Sequence, residues 1–431
     1  MENNNKKFPF LKKYSRKVRE VEIETEDEMR EVIVEKNNGF NTFEVIVIIF
    51  ISVLFGIVVG CMIMSSKNSF GGLEVSPEVQ EFVATYQSIL DNYYDSINEK
   101  ELMNAAISGM VNSLDDPYSN YMDSETTDSF NQTIDGSYVG IGVTVSLTNN
   151  QCVIIDIFED SPADKAGLKV GDVIIKVGKR KISEENLDQV SEFIQGKSGT
   201  KVSITVLRNN EEKTVKVSRG VIEIPAVASK VIEKEDQKVG YIVIDSFTAT
   251  VYKQFKKELT SLEKKGIDSL IIDVRSNPGG YLSQTRKILD LFFKKGTTLY
   301  QIETKGEKEK VKATSSTYKK YPVAILINQD SASASEILAS SFQDNYKKST
   351  IIGVTSYGKG TIQKAVELSS GASFKYTTQK WLTAKGKWIN EKGVVPDIVV
   401  EQGVEYQENP TDENDLLLQK ALEEVTKKEA N

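Results

Sequence analysis

From Gly240 onward the sequence alternates apolar runs with amphipathic stretches, and few folds accommodate that order. The runs GYIVIDSF, SLIIDV, PVAILIN and STIIGV read as strands, and residues 251–265, 281–294 and 334–346 read as the helices between them. Strand–helix alternation of this kind predicts a largely parallel sheet under right-handed crossovers. A β-rich return follows in TIQKAVEL and SFKYTTQKWLT, and residues 412–428 close the chain as an amphipathic helix. The leucines at 416 to 418, with Leu422 and Val425, give that helix a docking or dimer face, so a homodimer is one expected partner.

The preceding 240 or so residues are organised differently. Residues 79–94 and 99–114 have helical periodicity, and the second helix ends where Asp116-Pro117 stops it. Between Gly136 and Arg219 the pattern becomes short strands broken by turns, with one helix near 186–194, which implies a compact β-rich module. Two of its features are specific: the loop Tyr138-Val139-Gly140-Ile141-Gly142 leading into a strand, and SPADKAGLKVGDVI. Together they resemble a PDZ domain, whose loop amides capture a terminal carboxylate while the peptide adds as a strand at the sheet edge. For the loop alone, a turn shaped by its glycines would serve as well.

Residues 45–64, VIVIIFISVLFGIVVGCMIM, form an uncharged run of about the twenty residues that a helix needs to cross the hydrocarbon core. The expectation is a single transmembrane helix. Residues 6–19 are basic and the residues after Met64 are nearly free of positive charge, which places the amino end in the cytoplasm and everything beyond about residue 65 outside it. A rival reading takes Val58-Val59-Gly60-Cys61 as a lipoprotein processing site with Cys61 acylated. Cys152, the only other cysteine, sits in a strand-like run and reads as a core residue. The formal net charge of −8, with basic residues scattered, lacks the footprint of a nucleic-acid binder.

Three loops follow predicted parallel strands directly: RSNPGG, QDSASAS and SYGKGT. In open α/β sheets the crevice at the carboxyl ends of the strands is the functional edge, so all three are expected to meet there. Ser333 would open a helix, where free N–H groups and the helix dipole favour an oxyanion. The same residue, with Glu336 three positions on, also fits a simple capping box. The chain of 431 residues contains no histidine, so a Ser-His-Asp arrangement is excluded and another base is needed. Lys359, between Gly358 and Gly360, can serve if it is neutral. Its pKa would have to come down from about 10.4 to near neutrality, at a cost of about 4 kcal/mol that burial can supply. Gly279 and Gly280, with the N–H of Ala334, offer an oxyanion hole. Gln363 lies four residues beyond Lys359, about 13 Å away on an extended strand, so a bend at Gly360 would be needed to bring the two together.

These residues in this order resemble a family. RSNPGG, SASASE, GKGTIQ, DPYSNYM and the late segment GVVPD look like the carboxyl-terminal processing peptidases, the tail-specific serine proteases of bacteria, over roughly residues 76–425. The resemblance implies a serine–lysine dyad with Ser333 as nucleophile, Lys359 as base and Gln363 assisting it. It also implies no cofactor, and a PDZ domain that recognises apolar C-terminal tails on protein substrates. Where the family often has an arginine before Gly-x-x-Gly-Thr, this chain has Gln195, and an activating or adaptor protein that opens the PDZ domain is compatible with the sequence.

The expected organisation is thus a multidomain α/β protein: a cytoplasmic tail over 1–44, the transmembrane helix over 45–64, a linker over 65–75 and a helical segment over 76–134. A PDZ-like domain follows over 135–220, an α/β peptidase core with a mostly parallel sheet over 221–403, and a terminal helix over 404–431. Two alternatives are a non-catalytic adaptor that holds other proteins' tails and a nucleotide-binding protein. The latter rests on Gly353 to Lys359, which nearly spells a phosphate loop but has Gly360 where the motif needs serine or threonine.

Overall fold

A computed structural model describes residues 42–65, 76–182 and 187–427, which divide into two compact units, residues 1–97 and 98–431. The first contains the helices Thr42–Ser65 and Pro77–Asn92. Among the described residues no helix is long and apolar enough to cross a membrane. A span needs about twenty consecutive apolar residues in one helix to cover a hydrocarbon core of about 30 Å. The expected transmembrane helix over 45–64 is corrected accordingly, and with it the single-pass cell-membrane localisation, the cytoplasmic amino end and the membrane as a partner. The expected tail up to residue 41, the linker over 66–75 and the Cys61 side chain lie outside the described residues.

The second unit is built on a six-stranded sheet ordered Val227–Lys234, Gln237–Ile244, Ser269–Asp273, Val323–Ile327, Ser349–Gly353, Ile398–Val399. The first pair is antiparallel and all the others are parallel. Strands Ser269–Asp273 and Val323–Ile327 are buried at every position, which is why their sequences read as unbroken apolar runs rather than alternating ones. One face, with Ile242, Ile272, Ile325 and Ile351, packs against helices Val251–Lys264, Leu282–Leu289 and Ala334–Asn345. The other, with Ile271, Ala324, Leu326 and Ile352, is covered by Leu417, Leu418, Ala421, Leu422 and Val425 of the helix Leu416–Thr426. The leucine cluster at the carboxyl end is therefore a docking face within its own chain.

A second, antiparallel sheet joins Asn120–Met122, Ser373–Thr383, Thr298–Thr304 and Glu307–Lys312, with Thr361–Glu367 also paired to Ser373–Thr383. The β-rich module is separate: Val143–Thr148, Gln151–Ile157, Val173–Val177, Lys201–Arg208 and Glu211–Ser218 form an antiparallel sheet around a core of Ile154, Ile174, Val190, Ile204 and Val217. Cys152 is buried in it as a free thiol. The helix expected near 186–194 is Leu187–Ile194.

Candidate active site

The loops after Ser269–Asp273, Val323–Ile327 and Ser349–Gly353 meet at one edge, as parallel neighbours with a common direction must. Asn277, fully buried, holds two of them together. Its Nδ2 donates to Ile244 O at 2.7 Å, its Oδ1 accepts from Gly279 N at 2.8 Å, and its carbonyl accepts from Ala332 N at 3.0 Å and Ser335 Oγ at 2.9 Å. Two of the three alternating serines are spent on this scaffold. Ser331 Oγ donates to Val274 O at 2.8 Å, and Ser335 serves Asn277; both are fully buried. Ser333 alone of the three lines the cavity at this edge.

Ser333 has φ +55° and ψ −110°, a region that side-chain-bearing residues rarely adopt. Such backbone costs on the order of 1–3 kcal/mol and persists only where its surroundings impose it. Here the constraint is Glu336, in the first turn of Ala334–Asn345 and 0 % exposed. Its carboxylate accepts from Ser333 N at 2.7 Å, Ser356 Oγ at 2.6 Å, Gly358 N at 2.7 Å and Lys359 N at 2.9 Å. The capping interaction expected from the sequence is therefore present, and the same carboxylate also ties the serine loop to the lysine loop. That second role had no sequence signal, because residues 336 and 356–359 are brought together only by the sheet.

Lys359 is gripped through its backbone, with its carbonyl accepting from Trp381 Nε1 at 2.7 Å, and its side chain is half-buried with Nζ 4.5 Å over the Tyr118 ring. Burial holds its pKa below the ordinary lysine value, the nearby Lys375 cation adds to this, and Asp116 and Glu336 oppose it. No acid lies near Lys359 in sequence; both carboxylates arrive through the fold. Burial likewise lowers Lys375, against Asp116. Tyr118 is pushed up to about 12 by burial and by Tyr357 beside it.

Strand Thr361–Glu367 begins just after Gly360, and its register shifts between Ile362 and Gln363. Gln363, Lys359, Ser333, Ala334 and Gly280 line one cavity of about 490 Å³, together with Lys375, Tyr281 and Trp381. Among the described residues no hydrogen bond joins Lys359 Nζ to Ser333 or to Gln363. Gly279 and Gly280 have φ of +102° and +140°. A Cβ on Gly279 would sit 2.8 Å from Ala332 O and Ser333 Cβ, and one on Gly280 would sit 2.4 Å from Phe247 O. Both positions thus require glycine. The Gly279 N–H is engaged by Asn277, whereas among the described residues no hydrogen bond engages the N–H of Gly280 or Ala334, both of which line the cavity.

In the β-rich module, Gly140, Ile141 and Gly142 line a groove of about 230 Å³ with Val143, Val145, Ser191, Ile194 and Gln195. Val139 lies outside that lining and pairs with Val221. The groove runs between strand Val143–Thr148, at the sheet edge, and helix Leu187–Ile194.

Comparison with known proteins fits this arrangement. Residues 238–400 match the model of peptidase family S41, residues 139–218 that of the PDZ domain, and residues 63–126 that of the activating protease CtpB N-terminal domain. The chain is 38 % identical over 330 residues to carboxy-terminal processing protease CtpB of Bacillus subtilis, covering 75 % of this chain and 68 % of that one. The chain belongs to peptidase family S41. Within that family, CtpA of the same organism is 39 % identical over 320 residues, 73 % of this chain and 67 % of its own. A probable CtpA-like serine protease of Staphylococcus epidermidis is 35 % identical over 362 residues, 81 % of this chain and 73 % of its own. This S41 peptidase is a carboxy-terminal processing protease of the serine type, a hydrolase.

Proposed function

We propose that this S41 peptidase cleaves proteins near their carboxyl termini through an acyl-enzyme, with Ser333 as nucleophile and Lys359 as its base. The observation that carries the reading is the single cavity lined by Ser333, Lys359, Gln363, Ala334 and Gly280. Neutral Lys359 takes the Ser333 proton as Oγ attacks the scissile carbonyl, and the N–H groups of Gly280 and Ala334 receive the oxyanion. The lysine returns the proton to the departing amine, and water, activated by the same amine, then releases the acyl group. Gln363 holds the lysine side chain in the orientation this requires. Gly279, offered by the sequence as a second oxyanion donor, supports the loop instead because Asn277 engages its N–H.

Substrate choice falls to the PDZ groove. Its edge strand Val143–Thr148 has a free side to which an extended tail can add, and the amides of the 140–142 loop receive the terminal carboxylate. The apolar lining by Ile141, Val143, Val145 and Ile194 suits an apolar tail. In the full chain, Ser333→Ala and Lys359→Ala are each expected to abolish cleavage of a reporter protein carrying a C-terminal tail of alanine, valine and leucine, with the reporter still bound. Cleavage at the parental rate in either variant would overturn the dyad.

A further inference from the structure

The turn Asp116-Pro117-Tyr118-Ser119 is remote in sequence from every loop of the candidate site, yet it reaches the residues around the lysine. Asp116 accepts from Tyr118 N at 3.1 Å, from Ser119 Oγ, and from Thr377 Oγ1 at 2.6 Å. Ser119 Oγ accepts from Thr377 N at 3.2 Å. Thr377 Oγ1 in turn lies 3.0 Å from Gln363 Nε2, whose other partner is Thr361 Oγ1 at 2.9 Å.

We propose that Asp116 and Thr377 are positioning residues for the peptidase reaction, fixing through this chain of hydrogen bonds which way the Gln363 amide faces. The proposal rests on the reading of Lys359 as the base. An ionised carboxylate only accepts, so the single hydroxyl hydrogen of Thr377 is committed to Asp116. Thr377 can then only accept from Gln363, and Gln363 must turn its NH₂ group toward it. The second Nε2 hydrogen goes to Thr361, which leaves Oε1 as the free group of that amide, on the cavity that Lys359 also lines. An acceptor there takes an N–H of the amine and leaves its lone pair for the Ser333 proton. Were the amide reversed, it would offer N–H to an amine that must itself act as acceptor.

Asp116 is suited to this. Burial pushes its carboxyl up, but the hydrogen bonds from Ser119, Thr377 and Tyr118 N bring it below the usual carboxylate range. The charged and titratable groups around the amine are Lys375 on the neighbouring strand, Asp116 and Tyr118 in the turn, and Glu336 in the helix below. Asp116 therefore acts twice: it orients Gln363, and its charge favours protonated Lys359, which sets how far burial and Lys375 can lower that group.

The test compares Thr377→Val, Thr377→Ser, Asp116→Asn and Lys359→Ala in the full chain, measuring kcat and KM on the tailed reporter across pH, with melting temperatures. Thr377→Val is expected to lower kcat about 100-fold, the scale of a misplaced catalytic group, with KM unchanged, whereas Thr377→Ser keeps the hydroxyl and stays near the parent. Asp116→Asn is expected to lower kcat and move the acid limb of kcat/KM to lower pH, because the charge that favours the protonated amine is gone. A merely structural staple would lower the melting temperature without moving that limb. Parental kcat in Thr377→Val, equal losses in Thr377→Val and Thr377→Ser, or an unmoved limb in Asp116→Asn overturns the proposal. An active Lys359→Ala removes the base reading and the proposal together; an inactive one beside a parental Thr377→Val removes the proposal alone.

Discussion

At the scale of single residues, this S41 peptidase solves a charge problem without histidine. A buried amine loses hydration that its protonated form needs, and a second cation nearby adds repulsion; both favour the neutral form. Lys359 has both influences, and the opposing carboxylates Asp116 and Glu336 arrive with their hydrogen-bonding capacity largely committed to other donors. The sign of one substitution follows. In Lys375→Met the repulsion is gone, so the Lys359 pKa rises and the acid limb of kcat/KM moves to higher pH. Activity near neutrality then falls and is regained in alkaline buffer. A profile superimposable on the parent would show that Lys375 does not act on the proposed base.

Among elements, the loop that carries Gly279 and Gly280 is anchored by a buried ion-pair network at its base. Arg275 bonds Asp273 at 2.6 Å and Asp415 at 2.7 Å, Tyr241 Oη donates to Asp273 at 2.7 Å, and Asp415 caps the helix Leu416–Thr426 by accepting from Leu418 N at 3.0 Å. One guanidinium thus joins the strand end, the start of the loop that carries Gly279 and Gly280, and the helix that covers the second face of the sheet. Burial disfavours the Asp415 carboxylate, but Arg275 more than offsets this and holds its pKa below the usual value. Such a group contributes stability above its unfolded pKa of about 3.9, and that contribution is lost as pH falls through the lower folded value. Arg275→Met, which leaves two buried carboxylates facing each other, should cost about 3–5 kcal/mol in denaturant unfolding at neutral pH. A loss under about 1 kcal/mol would show that the network is not what anchors this helix.

On the scale of the whole molecule, the proposed tail-binding groove and the proposed hydrolytic cavity at Ser333 are lined by different residues. On that reading, binding energy gained at the first is available to hold a substrate for the second. Replacing the apolar tail of the reporter by a charged one is therefore expected to raise KM at least tenfold, since charged side chains must be desolvated in an apolar groove. The kcat at saturation should be nearly unchanged. Equal KM values for the two tails would place substrate selection elsewhere.

Much of this was legible in one dimension because local chemistry dictated it. Unbroken apolar strands separated by amphipathic helices specify a buried parallel sheet, that sheet puts the three loops at one edge, and the absence of histidine directs attention to Lys359. Ser333, Gly280 and Ala334 follow on those grounds, Gln363 only from what the family resemblance implies, and all four line one cavity. The apolar run over 45–64 misled, since twenty uncharged residues satisfy a length rule while no helix among the described residues meets the requirement for a span. What only the tertiary structure decided are the contacts between distant segments: Glu336 reaching the 356–359 loop, Asp116 meeting Thr377 and Lys359, and Asn277 taking the Gly279 amide. A sequence records which groups can bond and how often they recur along the chain. Which of them face one another across a low-dielectric cavity is set by strand order and register, and there the pKa of a lysine is decided.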